Sequence, residues 1–138
     1  MKEANMQTLF GSYIKQHPPA ESEAYELKIC KGTSLPFSSV DTHQINALLA
    51  AETGALYHRI TDQPWLPNRK YSYTLKKPFD CFVLRRVKAY VVVWFYIPRK
   101  SKVFIKIPIQ KWVNEVQTSD RKSLTPTRAT EIGYPIVI

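Results

Sequence analysis

Apolar residues recur along this chain at two periods, and the change from one period to the other divides it into helices and strands. From Lys2 to Gln16, Met6, Leu9, Phe10, Tyr13 and Ile14 fall on one helical face. His17-Pro18-Pro19 ends that helix, because the residue before a proline is driven out of the α region. Between Ala24 and Cys30 the period becomes two: Ala24, Glu26, Lys28 and Cys30 take one side of a strand, and Tyr25, Leu27 and Ile29 take the other. Lys31 to Phe37 reads as a loop. A second helix is predicted from about Asp41, with Ser39 or Asp41 as its cap, Ile45, Leu48, Leu49 and the alanines on its apolar side, and Gly54 at its end.

Ala55 to Thr61 predicts a short strand, Asp62 to Asn68 a loop, and Tyr71 to Leu75 another strand. Phe79 to Leu84 and Ala89 to Ile97 are predicted to pair as an antiparallel hairpin across the basic turn Arg85-Arg86-Val87-Lys88. Val103 to Ile107 predicts a strand and Pro108 to Val116 a short helix with proline near its first turn. Thr125-Pro126 opens a last helix to about Ile132, and Tyr134 to Ile138 is an apolar tail. No repeat or low-complexity block interrupts this order. The expectation is a single α/β domain over residues 1–138, with a mixed, mostly antiparallel sheet flanked by helices.

Composition narrows the classes of function. The chain has 138 residues, 44% of them hydrophobic, which excludes wholesale disorder. Its most apolar run, Ala89 to Ile97, is strand-sized and far short of the roughly 18–20 residues that span a bilayer, so no membrane association is expected. Met1-Lys2-Glu3 leads into an amphipathic segment with no apolar leader core, and Cys30 and Cys81 stand alone in apolar runs. Both features point to a reducing, cytoplasmic compartment. Glycine-rich phosphate loops and zinc-type Cys/His spacing are absent, and no base is placed beside a serine or cysteine nucleophile. Kinase, ATPase and dehydrogenase activities are thereby disfavoured. Against 11 acidic residues stand 20 Lys and Arg, a net charge of +9 that favours a polyanion, most often nucleic acid. A merely basic surface is the alternative.

The strongest local signal is Glu26-Leu27-Lys28. Residues two apart on a strand share a face, so carboxylate and ammonium enter the same space. Phosphodiester hydrolysis uses carboxylates to hold Mg²⁺ and a cation near the attacking water or scissile phosphate. The same tripeptide also occurs as a solvated salt pair.

The run Glu26-Leu-Lys-Ile-Cys-Lys-Gly-Thr-Ser-Leu-Pro-Phe37, followed by His43-Gln44-Ile45 and Leu48, resembles the PD-(D/E)xK nuclease superfamily, which implies a restriction-endonuclease-like core. Within it the chain is most similar to RecU-type and phage-type Holliday junction resolvases. Arg121-Lys122-Ser123-Leu124, Glu131 and Tyr134-Pro135-Ile136 extend that similarity to the C-terminal region. The superfamily's usual metal-binding Asp lies just before the Glu-x-Lys strand, and Gln16 to Tyr25 holds no Asp. The resemblance implies Asp80, in Lys77-Pro-Phe-Asp-Cys-Phe82, as its migrated replacement, carried to Glu26 by a strand pairing beside the Glu26 strand. Asp62 and Asp41 are lesser rivals, and Asp80 also suits a strand start or turn. Glu26 and Asp80, with Glu3 on the first helix closing the site, would ligate Mg²⁺, or Mn²⁺ in its place. Lys28 would orient water and stabilise charge, and Gln44 would assist. Glu3 is equally a first-turn glutamate favoured by the helix dipole.

Basic side chains cluster at Arg69-Lys70, Lys76-Lys77, Arg85-Arg86-Lys88, Arg99-Lys100-Lys102 and Arg121-Lys122, with Trp65, Tyr71, Tyr73 and Trp94 between them. Lysine and arginine beside a sheet follow phosphates without reading bases. Trp94 reads as core, and Trp65 and Tyr73 as candidates for DNA contact. Lys31, Thr33 and His43, within the resembling segment, join Arg69, Lys70, Lys76, Lys77, Arg85, Arg86, Arg121 and Lys122 as expected DNA contacts. The resulting expectation is a Mg²⁺-dependent, structure-selective endonuclease cutting branched double-stranded DNA as a symmetric homodimer. Another nuclease or nickase of the same superfamily, or a non-catalytic nucleic-acid-binding module, are the alternatives.

Overall fold

The computed structural model describes residues 3–59 and 81–138, with backbone alone for 55–59 and 81–85. The chain is α/β. Its elements in order are α1 (Glu3–Gln16), β1 (Glu23–Cys30), β2 (Leu35–Pro36), α2 (Thr42–Thr53), β3 (Ala55–Arg59), β4 (Cys81–Arg85), β5 (Lys88–Phe95), β6 (Val103–Pro108), α3 (Ile109–Thr118), β7 (Ser123–Leu124), α4 (Pro126–Ile132) and β8 (Tyr134–Val137). A short 3₁₀ turn, Phe37–Ser39, leads into α2.

The main sheet has the order β1-β5-β6-β8. Its first pairing is parallel and the other two are antiparallel, which is the mixed, mostly antiparallel sheet the sequence predicts. β5 is the reason for this arrangement. Val91, Val92 and Val93 are each 0% exposed, so both of its faces need cover and both of its edges need partners. Helix α1 covers one face, packing Met6 and Phe10 on Tyr90, Val92, Trp94 and Phe104. Helices α2, α3 and α4 cover the other, bringing Leu48, Trp112, Ala129 and Ile132 onto Val91, Val93, Ile105 and Ile107. Each large side chain buried this way contributes roughly 1.5–3 kcal/mol.

Three expectations are corrected. β4 does not form a hairpin with β5; it pairs with β3, from Ala55↔Arg85 to Arg59↔Cys81, in a separate two-stranded sheet. The basic segment between them steps from one sheet to the other. There Arg86 takes a left-handed φ of 53° and donates its N–H to the Gly54 carbonyl, while the Val87 N–H bonds the Ala51 carbonyl at the end of α2. That docking outweighs the local cost of a left-handed arginine. The expected loop Lys31–Phe37 contains β2, which pairs with the unpredicted β7. The apolar tail is the edge strand β8, where Pro135 is tolerated. Among the described residues no helix is long and apolar enough to cross a membrane.

Gly133 joins α4 to β8 where the two press closest to β6. A Cβ there would stand 2.9 Å from both Ile105 Cγ2 and Ile107 Cγ1, and 3.0 Å from the Lys106 carbonyl oxygen. Gly133→Ala is therefore expected to destabilise the fold by about 1–3 kcal/mol. Thermal unfolding checks this, and an unchanged midpoint would mean that α4 and β8 are not seated as described.

Candidate functional site

Alternation along β1 places Glu26 and Lys28 on the face covered by α2–α4, in register with Val91 and Val93 of β5. Both are largely withdrawn from solvent, with side chains 24% and 17% exposed, and Lys28 Nζ lies 3.3 Å from Glu26 Oε1. A third group arrives from the first turn of α2. Asp41 is its N-cap, and the Asp41 N–H donates to Gln44 Oε1 at 2.9 Å in a capping-box arrangement. That bond fixes which way the amide faces. Gln44 Nε2 is left to donate to Glu26 Oε1, also at 2.9 Å. One carboxylate oxygen thus accepts from an amide and forms an ion pair with an ammonium, beside the positive end of the α2 dipole.

The structure brings a second set of expected residues together. At the end of β1, Lys31 and Thr33 lie exposed on the loop leading to β2, and Arg121 and Lys122 lie exposed on the loop leading to β7. The β2–β7 pairing joins these loops, with the Phe37 N–H donating to the Lys122 carbonyl at 3.0 Å and Ser34 Oγ to Ser123 Oγ at 2.6 Å. A cleft of about 410 Å³ opens there, lined in part by Phe37, Arg121 and Ser123. His43 is exposed beside Gln44.

Two described candidates, Glu3 and Arg86, do not join Glu26. Glu3 begins α1, which packs on Tyr25, Leu27 and Ile29, the face of β1 opposite to Glu26. Arg86 sits against Gly54, ten residues and about 15 Å of helix from Gln44. The strand beside β1 is β5, not the one that Asp80 was expected to open. Asp80 itself, with Asp62, Trp65, Arg69, Lys70, Tyr71, Tyr73, Lys76 and Lys77, lies outside the described residues. Arg85 is on β4, where only the backbone is described. Asp41 is the cap of α2. No group of three or more His, Cys, Asp or Glu able to hold a metal ion is found among the described residues.

One cluster escaped the sequence reading. On the α1 face of the sheet, Glu23 Oε1 accepts from the Tyr25 hydroxyl and, at 2.8 Å, from Lys106 Nζ. Burial works against the charged carboxyl, but hydrogen bonds from Lys106 and Tyr25 prevail and hold Glu23 below its ordinary value of 4.5. Burial, and then the neighbouring Glu23, push the Tyr25 phenol up, and the Tyr90 phenol rises for the same reasons. Glu23 and Tyr25 are two apart on one strand, which the alternation could have revealed. Lys106 is 83 residues from Glu23, and its inward position is signalled only by the aliphatic residues on either side.

Compared with known proteins, the chain matches no family model, no curated protein and no solved structure.

Gln44→Ala removes both the cap on Asp41 and the bond to Glu26, with an expected loss of about 1–2 kcal/mol in denaturant unfolding. A loss near zero would mean that α2 does not depend on the amide. A depressed carboxyl contributes stability that is complete above its unfolded pKa and lost as pH falls through its folded one. Stability should therefore decline as pH drops below 4.5, and Glu23→Gln should flatten that decline. Parallel acid unfolding curves for the two proteins would contradict it.

Proposed function

We propose that this chain is a metal-dependent, cytoplasmic endodeoxyribonuclease that cuts branched double-stranded DNA, resolving four-way junctions as a symmetric homodimer. The observation that carries this reading is the convergence of Lys28 and Gln44 on one oxygen of a half-buried Glu26. A carboxylate, an ammonium and an oriented amide, fixed by a strand and a helix start, are among the groups that metal-dependent phosphodiester hydrolysis can use. The net charge of +9 and the exposed Lys31, Thr33, His43, Arg121 and Lys122 add the means to hold a phosphate backbone.

Among the described residues no group of three or more His, Cys, Asp or Glu could hold a divalent ion, and in this reading Asp80 supplies the metal's second carboxylate. Mg²⁺, or Mn²⁺, when bound would make a nucleophilic water accessible at neutral pH and offset charge on the phosphate. Lys28 donates to a non-bridging phosphate oxygen and stabilises the charge that develops there. Gln44, with its carbonyl side engaged by the Asp41 N–H, presents N–H groups towards the same place. The Lys31–Thr33 and Arg121–Lys122 loops grip flanking phosphates. Two symmetric cuts need two such sites, which a C₂ pair of chains supplies.

A second reading is favoured by one feature: Glu26 Oε1 is already satisfied by two protein donors, as in a structural ion pair. In that case the chain binds nucleic acid without cutting it.

Cleavage of a synthetic four-way junction and of a linear duplex of matched sequence, each with Mg²⁺ or with EDTA, separates the two. The expected result is junction cutting in Mg²⁺ alone, slowed at least about 100-fold by Glu26→Gln and by Lys28→Ala, with binding almost unchanged. Similar cutting of both DNAs would redirect the reading to another endonuclease or a nickase. Tight binding with no metal-dependent cutting would establish the binding module.

A further inference from the structure

Beyond the last turn of α1 the α1 face of the sheet opens into a cleft of about 410 Å³, on the opposite side from Glu26. Strand register sets its floor. Glu23 lies beside Lys88 and Tyr25 beside Tyr90 on β1 and β5, while Lys106 lies beside Tyr134 on β6 and β8. Its wall comes from the end of α1, where the rings of Tyr13 and His17 stack 4.6 Å apart.

The charges in this cleft do not cancel. Lys106 is bonded to Glu23 and stands 4.3 Å from the centre of the Tyr90 ring, so that pair is internally satisfied. Lys88 is exposed beside it, and the Lys111 ammonium lies 5.9 Å from the centre of the Tyr134 ring. Two ammoniums that line the cleft, Lys88 and Lys106, therefore face one carboxylate, and the phenols of Tyr25 and Tyr90 stay neutral well above neutral pH. Tyr134, 55% exposed, offers solvent an aromatic surface. A cationic ligand would be repelled here, an apolar one would strand the ammoniums, and a simple inorganic anion would leave the rings unused. A flat heteroaromatic ring joined to an anion uses both the exposed Tyr134 ring and the exposed Lys88 ammonium.

We propose that this cleft binds a nucleotide, its base stacked on Tyr134 and its phosphate held towards Lys88. Stacking on one tyrosine tolerates any base, so the site selects the nucleotide as a class and not a sequence. The unit is a free mononucleotide or one residue of an unpaired strand, and the two share the same chemistry. This inference goes beyond the cleavage reading and does not rest on it.

The test is titration of a fluorescent oligothymidylate of about 12 nucleotides, with thymidine 5′-monophosphate as competitor, in EDTA. Tyr134→Ala and Lys88→Gln alter exposed side chains, and thermal unfolding verifies that each variant is folded. Each is expected to weaken binding about tenfold. Lys100→Gln, which removes the same charge at an exposed turn, should change it by less than about twofold. Displacement by the mononucleotide identifies a free nucleotide as sufficient, and displacement by unlabelled oligonucleotide alone identifies the strand. Absence of binding would overturn the proposal. So would equal losses from Lys88→Gln and Lys100→Gln with none from Tyr134→Ala, which would reduce the effect to general basicity. With no divalent ion present and no variant made at the Glu26 site, the result stands whether or not the chain cuts DNA.

Discussion

The pairing of β1 with β5 constrains everything else in this molecule. Because Val91 to Val93 are wholly buried, the residues beside them on β1 must match two different apolar surroundings on alternate positions. Tyr25, Leu27 and Ile29 meet Met6 and Phe10 of α1, while Ala24 and Cys30 join the core beneath α2. Glu26 and Lys28 then emerge beside the first turn of α2. A slip of one residue would put both charges under α1, away from the Gln44 amide at the start of α2. The geometry of the polar cluster is thus a by-product of packing the apolar residues on either side of it.

The cluster is also tied to the helix that covers it. Gln44 belongs at once to the capping of α2 and to the surroundings of Glu26, and its amide has one orientation that serves both. At the other end of the same helix, the Val87 N–H bonds the Ala51 carbonyl as the chain enters β5. Helix α2 is therefore fixed at its start to β1 and at its end to the approach of β5, the two strands whose pairing sets the register. Motion of Gln44 relative to Glu26 would have to disturb a helix cap, which keeps the three groups in one arrangement.

Much of this was legible in the sequence where it was periodic. The first helix, the alternation of Ala24–Cys30, the Asp41 cap and the helices after Pro108 and Thr125 each follow from a local pattern of three or more residues. The Glu26–Lys28 pair was legible for the same reason, since sharing a face follows from spacing alone. What failed was pairing. Two apolar strands around a basic turn suggest a hairpin, but a strand buried on both faces is better served by amphipathic β1 at one edge and β6 at the other, and β4 is paired with β3 instead. Two-residue strands such as β2 and β7 have no period to read, and Pro135 hid the edge strand β8. Helical periodicity places Glu3 on a helix without saying which side of the sheet that helix covers. Glu23 with Lys106 is a contact across the sheet, which no local pattern encodes.

Charged residues on β1 also have an explanation that needs no ligand. Among the described residues β1 is an edge of the main sheet, and inward-pointing charges are a common defence of edges against pairing with another chain. That defence is satisfied by a solvated charge of either sign at almost any inward position. The arrangement here is more specific than it needs to be. Lys28 is less exposed than its partner, Glu26 receives a second donor, and that donor is held in turn by a helix cap. Burying an ammonium and a carboxylate side by side costs desolvation that an edge-protecting charge would avoid by staying in water. Fixing Gln44 against Glu26 goes beyond what keeping a strand from aggregating requires, and it also ties the start of α2 to β1. The extra constraint holds the carboxylate, the ammonium and the amide in one fixed arrangement, as the proposed reading of Glu26 requires.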